Sequence, residues 1–221
     1  MKNNIFNIVN NNKKKIILIL GIVLVIILLI IGINRLNDKD ELIGVTQNPD
    51  GEKVKEEYEK LNNTESEDGK LYPEVILPSN NIIKYSDVNE VLKIFNNKED
   101  AVVYFGYSTC LYCRSAIEVL CNVASSTELE TIYYLDVEDI TAEYNELMNA
   151  LGEKFTIVEE GNSRIYAPLV IFVVNGKVIS HNKGTLFSQE DPYSELNEYQ
   201  IEGLSEIYKY GILDVIEGMN K

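Results

Sequence analysis

The sequence predicts an α/β domain carried behind a single N-terminal transmembrane helix. Three observations point there. Residues 16–33 form an apolar run with no polar or charged side chain. From about residue 73 short strand-like runs alternate with helix-like ones, the pattern of a sheet flanked by helices. A Cys-x-x-Cys pair, Cys110 and Cys113, falls where a continuous apolar run gives way to a helical pattern.

As a helix, the 18 residues between Lys15 and Asn34 would reach about 27 Å, close to the hydrocarbon thickness of a bilayer. Lys2, Lys13, Lys14 and Lys15 precede the run, while Arg35 and Lys39 follow it among Asp38, Asp40 and Glu41. The positive-inside rule therefore predicts cytoplasmic residues 1–15, a signal anchor at 16–33 and a single-pass protein whose remainder lies outside the cytoplasm. A cleaved signal peptide is the competing reading. Against it, the apolar run is long, no small-x-small cleavage site follows, and no cysteine precedes Cys110 to take a lipid.

All 35 acidic residues follow Ile33, against 16 basic ones in the same stretch. So acidic a surface repels phosphate backbones and argues against nucleic acid as a partner. It suits a cationic partner, or simply keeps an exported domain soluble. Residues 34–72 are acidic and broken by Gly44, Asn48-Pro49, Gly51 and Gly69, which predicts a flexible tether. Within it, Glu56 and Lys60 form an i,i+4 pair compatible with a short helix over 52–61. A chain of 221 residues leaves 73–221 as one domain.

Residues 82–85 read as a first strand. Ser86 is then a candidate N-cap for a helix burying Val88, Val91, Leu92 and Phe95, closed at Asn96-Asn97. The run 101–105, AVVYF, has the character of a central strand buried on both faces. Residues 111–124 read as a helix with Ala116, Ile117, Leu120 and Cys121 inward. A strand at 131–137, a helix at 142–151 ended by Gly152, and a loop follow. Strands at 169–174 and 177–180 flank Asn175-Gly176, a strong hairpin signal. The C-terminal stretch is an amphipathic helix interrupted by Gly203 and Gly211.

Two cysteines three positions apart at a helix start can form and break a disulfide with little backbone change. Unpaired amides at the helix N-terminus favour the Cys110 thiolate, and Arg114 is a candidate to add to that field. In this reading Cys110 forms a mixed disulfide and Cys113 resolves it, while Leu111 and Tyr112 contact substrate and tune the potential. No further cofactor is needed. Alternatives remain open: zinc held with Cys121 and the single His181, or a purely structural disulfide. Cys121 itself reads as a buried apolar residue, and His181 as a surface or loop residue.

The segments FGYSTCLYC and YAPLVIFVVNGKVISHNKGT resemble the thioredoxin superfamily, especially its membrane-anchored bacterial members and the bacteriocin transport accessory proteins. The resemblance runs from residue 82 to the C-terminus. It implies a central mixed sheet flanked by helices, a cis bond at Ala167-Pro168 facing the cysteine pair, and substrate backbone pairing there. Pro168, Gly176 and Gly184 are spaced by eight residues each time, as in that family. There are departures: no tryptophan precedes the pair, the dipeptide is not Gly-Pro, and Tyr104 stands where thioredoxins hold a buried acid. Insertions occupy about 153–165 and 186–197. The activity implied is disulfide exchange on exported cysteine-containing proteins or peptides, with a membrane redox partner as one source of electrons. The other reading is a non-catalytic accessory or chaperone for peptide export. Neither the direction of transfer nor the substrate is legible.

Overall fold

A computed structural model describes residues 48–138, 144–159 and 161–221. The expected cytoplasmic segment 1–15, the span 16–33, the first part of the tether and the start of the helix expected at 142 lie outside these residues. Among the described residues no helix is long and apolar enough to cross a membrane.

In order, the elements are α1 (Pro49–Glu59), β1 (Ile83–Tyr85), α2 (Val88–Asn96), β2 (Ala101–Gly106), α3 (Leu111–Ala124), β3 (Ile132–Asp136) and α4 (Tyr144–Leu151). A 3-10 turn (Glu153–Phe155) follows, then β4 (Thr156–Glu159), β5 (Asn162–Ile165), β6 (Leu169–Val174), β7 (Lys177–Lys183) and α5 (Glu198–Met219). Five strands form one mixed sheet in the order β1-β3-β2-β6-β7. β1, β3 and β2 run parallel, whereas β6 is antiparallel to both β2 and β7.

The period-2 alternation of strand side chains divides the core in two. Val102 and Tyr104 of β2, with Tyr134 and Phe172, join Ile117 and Leu120 of α3 and Leu204, Tyr208 and Ile212 of α5. Ala101, Val103 and Phe105, with Leu135, Leu169 and Ile171, face Val91 of α2 and Leu147 of α4. Both faces of β2 are covered, which is why its apolar run is continuous.

Several expectations change. The stretch read as a tether belongs to the domain from residue 48 onward. Val54 and Tyr58 of α1 are fully buried in the core shared with α3 and α5. Burying two such side chains contributes about 1.5 to 3 kcal/mol each. Polar contacts fix the helix to the edge strand: Asn48 Nδ2 donates to the Ile83 carbonyl at 2.6 Å, and the Tyr85 amide donates to Asp50 Oδ2 at 3.1 Å. Asp87, not Ser86, caps α2, accepting from the Glu90 amide at 2.8 Å. The loop expected before β6 contains the 3-10 turn and the β4–β5 hairpin. α5 runs unbroken through Gly203 and Gly211, and its start carries a reciprocal cap between Asn197 and Gln200. At Gly211 a Cβ would lie 2.5 Å from the Phe172 ring, so the glycine lets helix and sheet approach. The Asn175-Gly176 turn has positive φ at both residues (51° and 68°), the conformation a tight hairpin requires.

Candidate active site

The fully buried β2 ends at Gly106, and residues 107–109 turn the chain into α3. Cys110 is the N-cap of α3, with extended backbone, and its Sγ accepts from the Cys113 amide at 3.2 Å. A cap sulfur replaces the usual Ser or Asp oxygen, so an otherwise orphaned amide points at the reactive atom. Cys110 and Cys113 form a disulfide with their Cα atoms 5.1 Å apart. The sulfurs are unequal in access: Cys110 is half-buried, while Cys113, one turn into the helix, is fully buried. Leu111 and Tyr112 sit half-buried beside them.

The peptide bond Ala167-Pro168 is cis. Leu169 pairs with Phe105 in the sheet, so Pro168 lies level with Gly106, at the same sheet end from which the Cys110 turn emerges. The Pro168 carbonyl accepts from the Gly184 amide at 2.8 Å. A cysteine pair and a cis-proline loop thus converge from adjacent strands, although 55 or so residues separate them in sequence.

Arg114, expected to lend its field to Cys110, has a different set of partners. It is fully buried. Its Nε donates to the Pro73 carbonyl (2.8 Å), Nη1 to the carbonyls of Tyr58 (2.9 Å) and Ser108 (3.3 Å), and Nη2 to Asn62 Oδ1 (2.7 Å). The guanidinium also lies 5.4 Å from the Tyr72 ring centre. The guanidinium therefore fastens residues 58–73 to the turn before Cys110, which it reaches through the Ser108 carbonyl. Burial pulls its pKa down, offset by Tyr58, Tyr72 and Glu118.

Beneath Cys113 the sheet presents tyrosines instead of an acid. The Tyr104 hydroxyl donates to the Cys113 carbonyl at 3.1 Å and lies 3.5 Å from the Tyr58 hydroxyl. The rings of Tyr104 and Tyr134 stack with centres 5.5 Å apart. Burial holds the Tyr58 and Tyr104 hydroxyls well above the ordinary phenol range, so both stay neutral.

The zinc alternative loses its geometry. Cys121 is buried among α3 and α5 side chains on one side of the sheet. His181 lies on β7, not in a loop, edge-on to Phe155, whose cluster belongs to the other side. Burial pushes the Cys121 thiol up to about 12, a value that keeps it protonated and inert. Sequence reasoning missed Asn62, Ser108 and Gln189. Gln189 is buried in the 186–197 insertion and donates to Ser115 Oγ of α3 (3.4 Å) and to the Ser194 carbonyl (3.0 Å). No apolar periodicity marks such residues; their roles lie in bonds to distant backbone.

No family model matches the chain, and no curated protein does. Among solved structures, thioredoxin O1 from Arabidopsis thaliana in its oxidised state is 17% identical, with a TM-score of 0.35 over 58% of this chain and 97% of that one. Thioredoxin O2 from the same plant, also oxidised, is 14% identical, with a TM-score of 0.34 over 57% and 90%. Reduced desulfothioredoxin from Desulfovibrio vulgaris Hildenborough is 20% identical, with a TM-score of 0.33 over 57% and 95%. Similarities this distant bear on neither activity nor substrate.

Proposed function

We propose that the chain is a thiol–disulfide oxidoreductase of the thioredoxin type, anchored in the membrane and acting outside the cytoplasm on exported cysteine-containing proteins or peptides. The observation that carries the redox assignment is the asymmetric disulfide at the start of α3: Cys110 half-buried at the cap, Cys113 buried one turn below. Support for the anchor comes from the apolar run at 16–33 and the lysines before it.

In the reducing direction the Cys110 thiolate attacks a substrate disulfide. One substrate sulfur leaves as a thiolate, and Cys110 holds the other in a mixed disulfide. Cys113 gives up its proton and attacks Cys110 Sγ, expelling the second substrate thiolate and closing the Cys110–Cys113 bond. Two electrons pass from the dithiol to the substrate. The same steps reversed oxidise a substrate dithiol. The Cys113 amide that faces Cys110 Sγ, at the N-terminus of α3, stabilises its negative charge in both directions. Ala167, half-buried before the cis bond, is the position whose backbone an extended substrate pairs with, since Pro168 is buried and its carbonyl is taken by Gly184.

Equilibrating the full-length chain in glutathione buffers tests the assignment. A single reversible two-electron transition of Cys110 and Cys113 is expected, and a disulfide that fails to cycle at any glutathione ratio overturns it. With Cys113→Ser, a stalled mixed disulfide through Cys110 identifies the substrate by mass.

A further inference from the structure

Beyond the disulfide, the outer side of α3 borders a groove of about 310 Å³. Its floor includes Glu118 and Val119, one bank carries Glu74 and Ile76, and the other carries Glu195 and Ile201. Both banks are built by segments already seen to be held in place. Arg114 and Asn62 fix the chain leading to Pro73, and Gln189 ties the 186–197 insertion to Ser115. The Tyr193 hydroxyl joins the two segments, bonding Ser66 Oγ and Asp68 Oδ2 at 2.9 Å each.

The lining combines two properties. Ile76 and Ile201 are 62% and 45% exposed, leaving aliphatic surface open to solvent. Three carboxylates and no lysine or arginine line the groove, and among the described residues none of the three forms an ion pair. Glu118 is half-buried; burial pushes its pKa up and Glu195 and Glu74 push the same way, while the Ile76 amide and Arg114 pull against them. Aliphatic walls around under-compensated negative charge complement one kind of group: a long stem ending in a cation. Lysine and arginine side chains lay their methylenes on apolar surface and keep the charged head at its edge. An acidic segment would be repelled, and a purely apolar one would bury the carboxylates without a partner.

We propose that this groove binds a basic, partly apolar segment of the substrate polypeptide, with a lysine or arginine head between Glu118 and Glu195 and its stem over Ile76, Val119 and Ile201. As a substrate-selecting device it rests on disulfide exchange at Cys110; binding itself needs no thiol. Glu118 lies about 12 Å along α3 from Cys110, a distance that about four residues of extended chain cover. Substrates with a basic residue about four positions from the reacting cysteine are therefore favoured.

The test uses the oxidised full-length chain in a non-ionic detergent and two labelled, cysteine-free peptides, one with lysines flanked by valines and one with glutamates in their place. Fluorescence anisotropy, corrected for binding to empty micelles, should show the lysine peptide bound and the glutamate peptide unbound. Glu118→Gln combined with Glu195→Gln should weaken the lysine peptide about tenfold, as should raised salt. Equal affinity for the two peptides, no binding of either, or undiminished affinity in a double variant with unchanged circular dichroism would each overturn the proposal. Because the peptides lack cysteine and glutathione cycling is measured separately, failure here is distinct from failure of the redox assignment.

Discussion

Replacing Arg114 with methionine probes the link between residues 58–73 and the helix that carries the cysteine pair. The guanidinium supplies hydrogen bonds to three backbone carbonyls and one amide oxygen, all inside the protein. Bonds from a charged donor contribute about 1.5 to 3 kcal/mol each, and acceptors stripped of their donor keep their desolvation cost. Opposing this, among the described residues no carboxylate bonds the guanidinium, so removing it recovers the several kcal/mol spent on desolvating a cation. With the low end of that range, about 6 kcal/mol for the four bonds, set against about 3 kcal/mol of recovered desolvation, a net loss of about 3 kcal/mol is expected, a large part of the 5 to 15 typical of a domain. In urea at a slope of about 2 kcal/mol/M, the midpoint should fall by about 1.5 M with the slope unchanged. Tyrosine fluorescence is a suitable probe, since the chain has 14 tyrosines and no tryptophan. Arg114→Lys keeps the charge but loses the planar fork, and should recover less than half of the loss. A midpoint for Arg114→Met within about 0.3 M of the parent would refute the reasoning: the contacts would then be balanced by desolvation and would not hold the segment in place.

Further outcomes follow from single contacts. Because burial raises the Cys121 thiol to about 12, the folded state keeps a proton that the unfolded chain loses above about pH 9. Stability should fall by roughly 1 kcal/mol per pH unit on this account, beginning near pH 9, and Cys121→Ala should flatten that slope in urea titrations. Gly211→Ala puts a Cβ 2.5 Å from the Phe172 ring, so thermal unfolding should register a loss of about 1 to 3 kcal/mol, whereas an unchanged Tm would show that α5 moves freely off the sheet. Tyr104→Phe removes one bond to the Cys113 carbonyl and should cost about 1 kcal/mol in urea while leaving the pH midpoint of disulfide exchange in place; a moved midpoint would assign Tyr104 a proton.

The parts legible in the sequence are those in which local pattern and tertiary burial agree. β2 reads as buried because both of its faces are, α3 because its inward residues recur at helical spacing, and the Asn175-Gly176 turn because its backbone demands positive φ. Residues 48–72 defeated the same logic. Only Val54 and Tyr58 of α1 bury apolar side chains in the core, and much of the segment's attachment is polar, through residues such as Asn48, Asp50, Lys55, Glu59 and Asn62 bonding backbone elsewhere in the chain, and through Arg114. Acidity and glycines then look like a linker although the segment is packed. Gly203 and Gly211 misled in the opposite sense: each would break an isolated helix, yet here they let α5 meet Leu186 and Phe172 closely, and packing outweighs propensity. At the site, the cysteine pair was visible as a motif. The groove beside it was not, since its banks come from segments about 120 residues apart in the chain.

Beneath Cys113 lies a tyrosine and not a carboxylate, and this bears on the electrostatics at the cysteines. A buried carboxylate below Cys113 would disfavour a second negative charge on the sulfurs and offer a proton acceptor. Tyr104 does neither, because its hydroxyl is neutral and its proton is already directed to the Cys113 carbonyl. The stabilisation of a Cys110 thiolate then comes from α3 itself, through the amide already aimed at Cys110 Sγ.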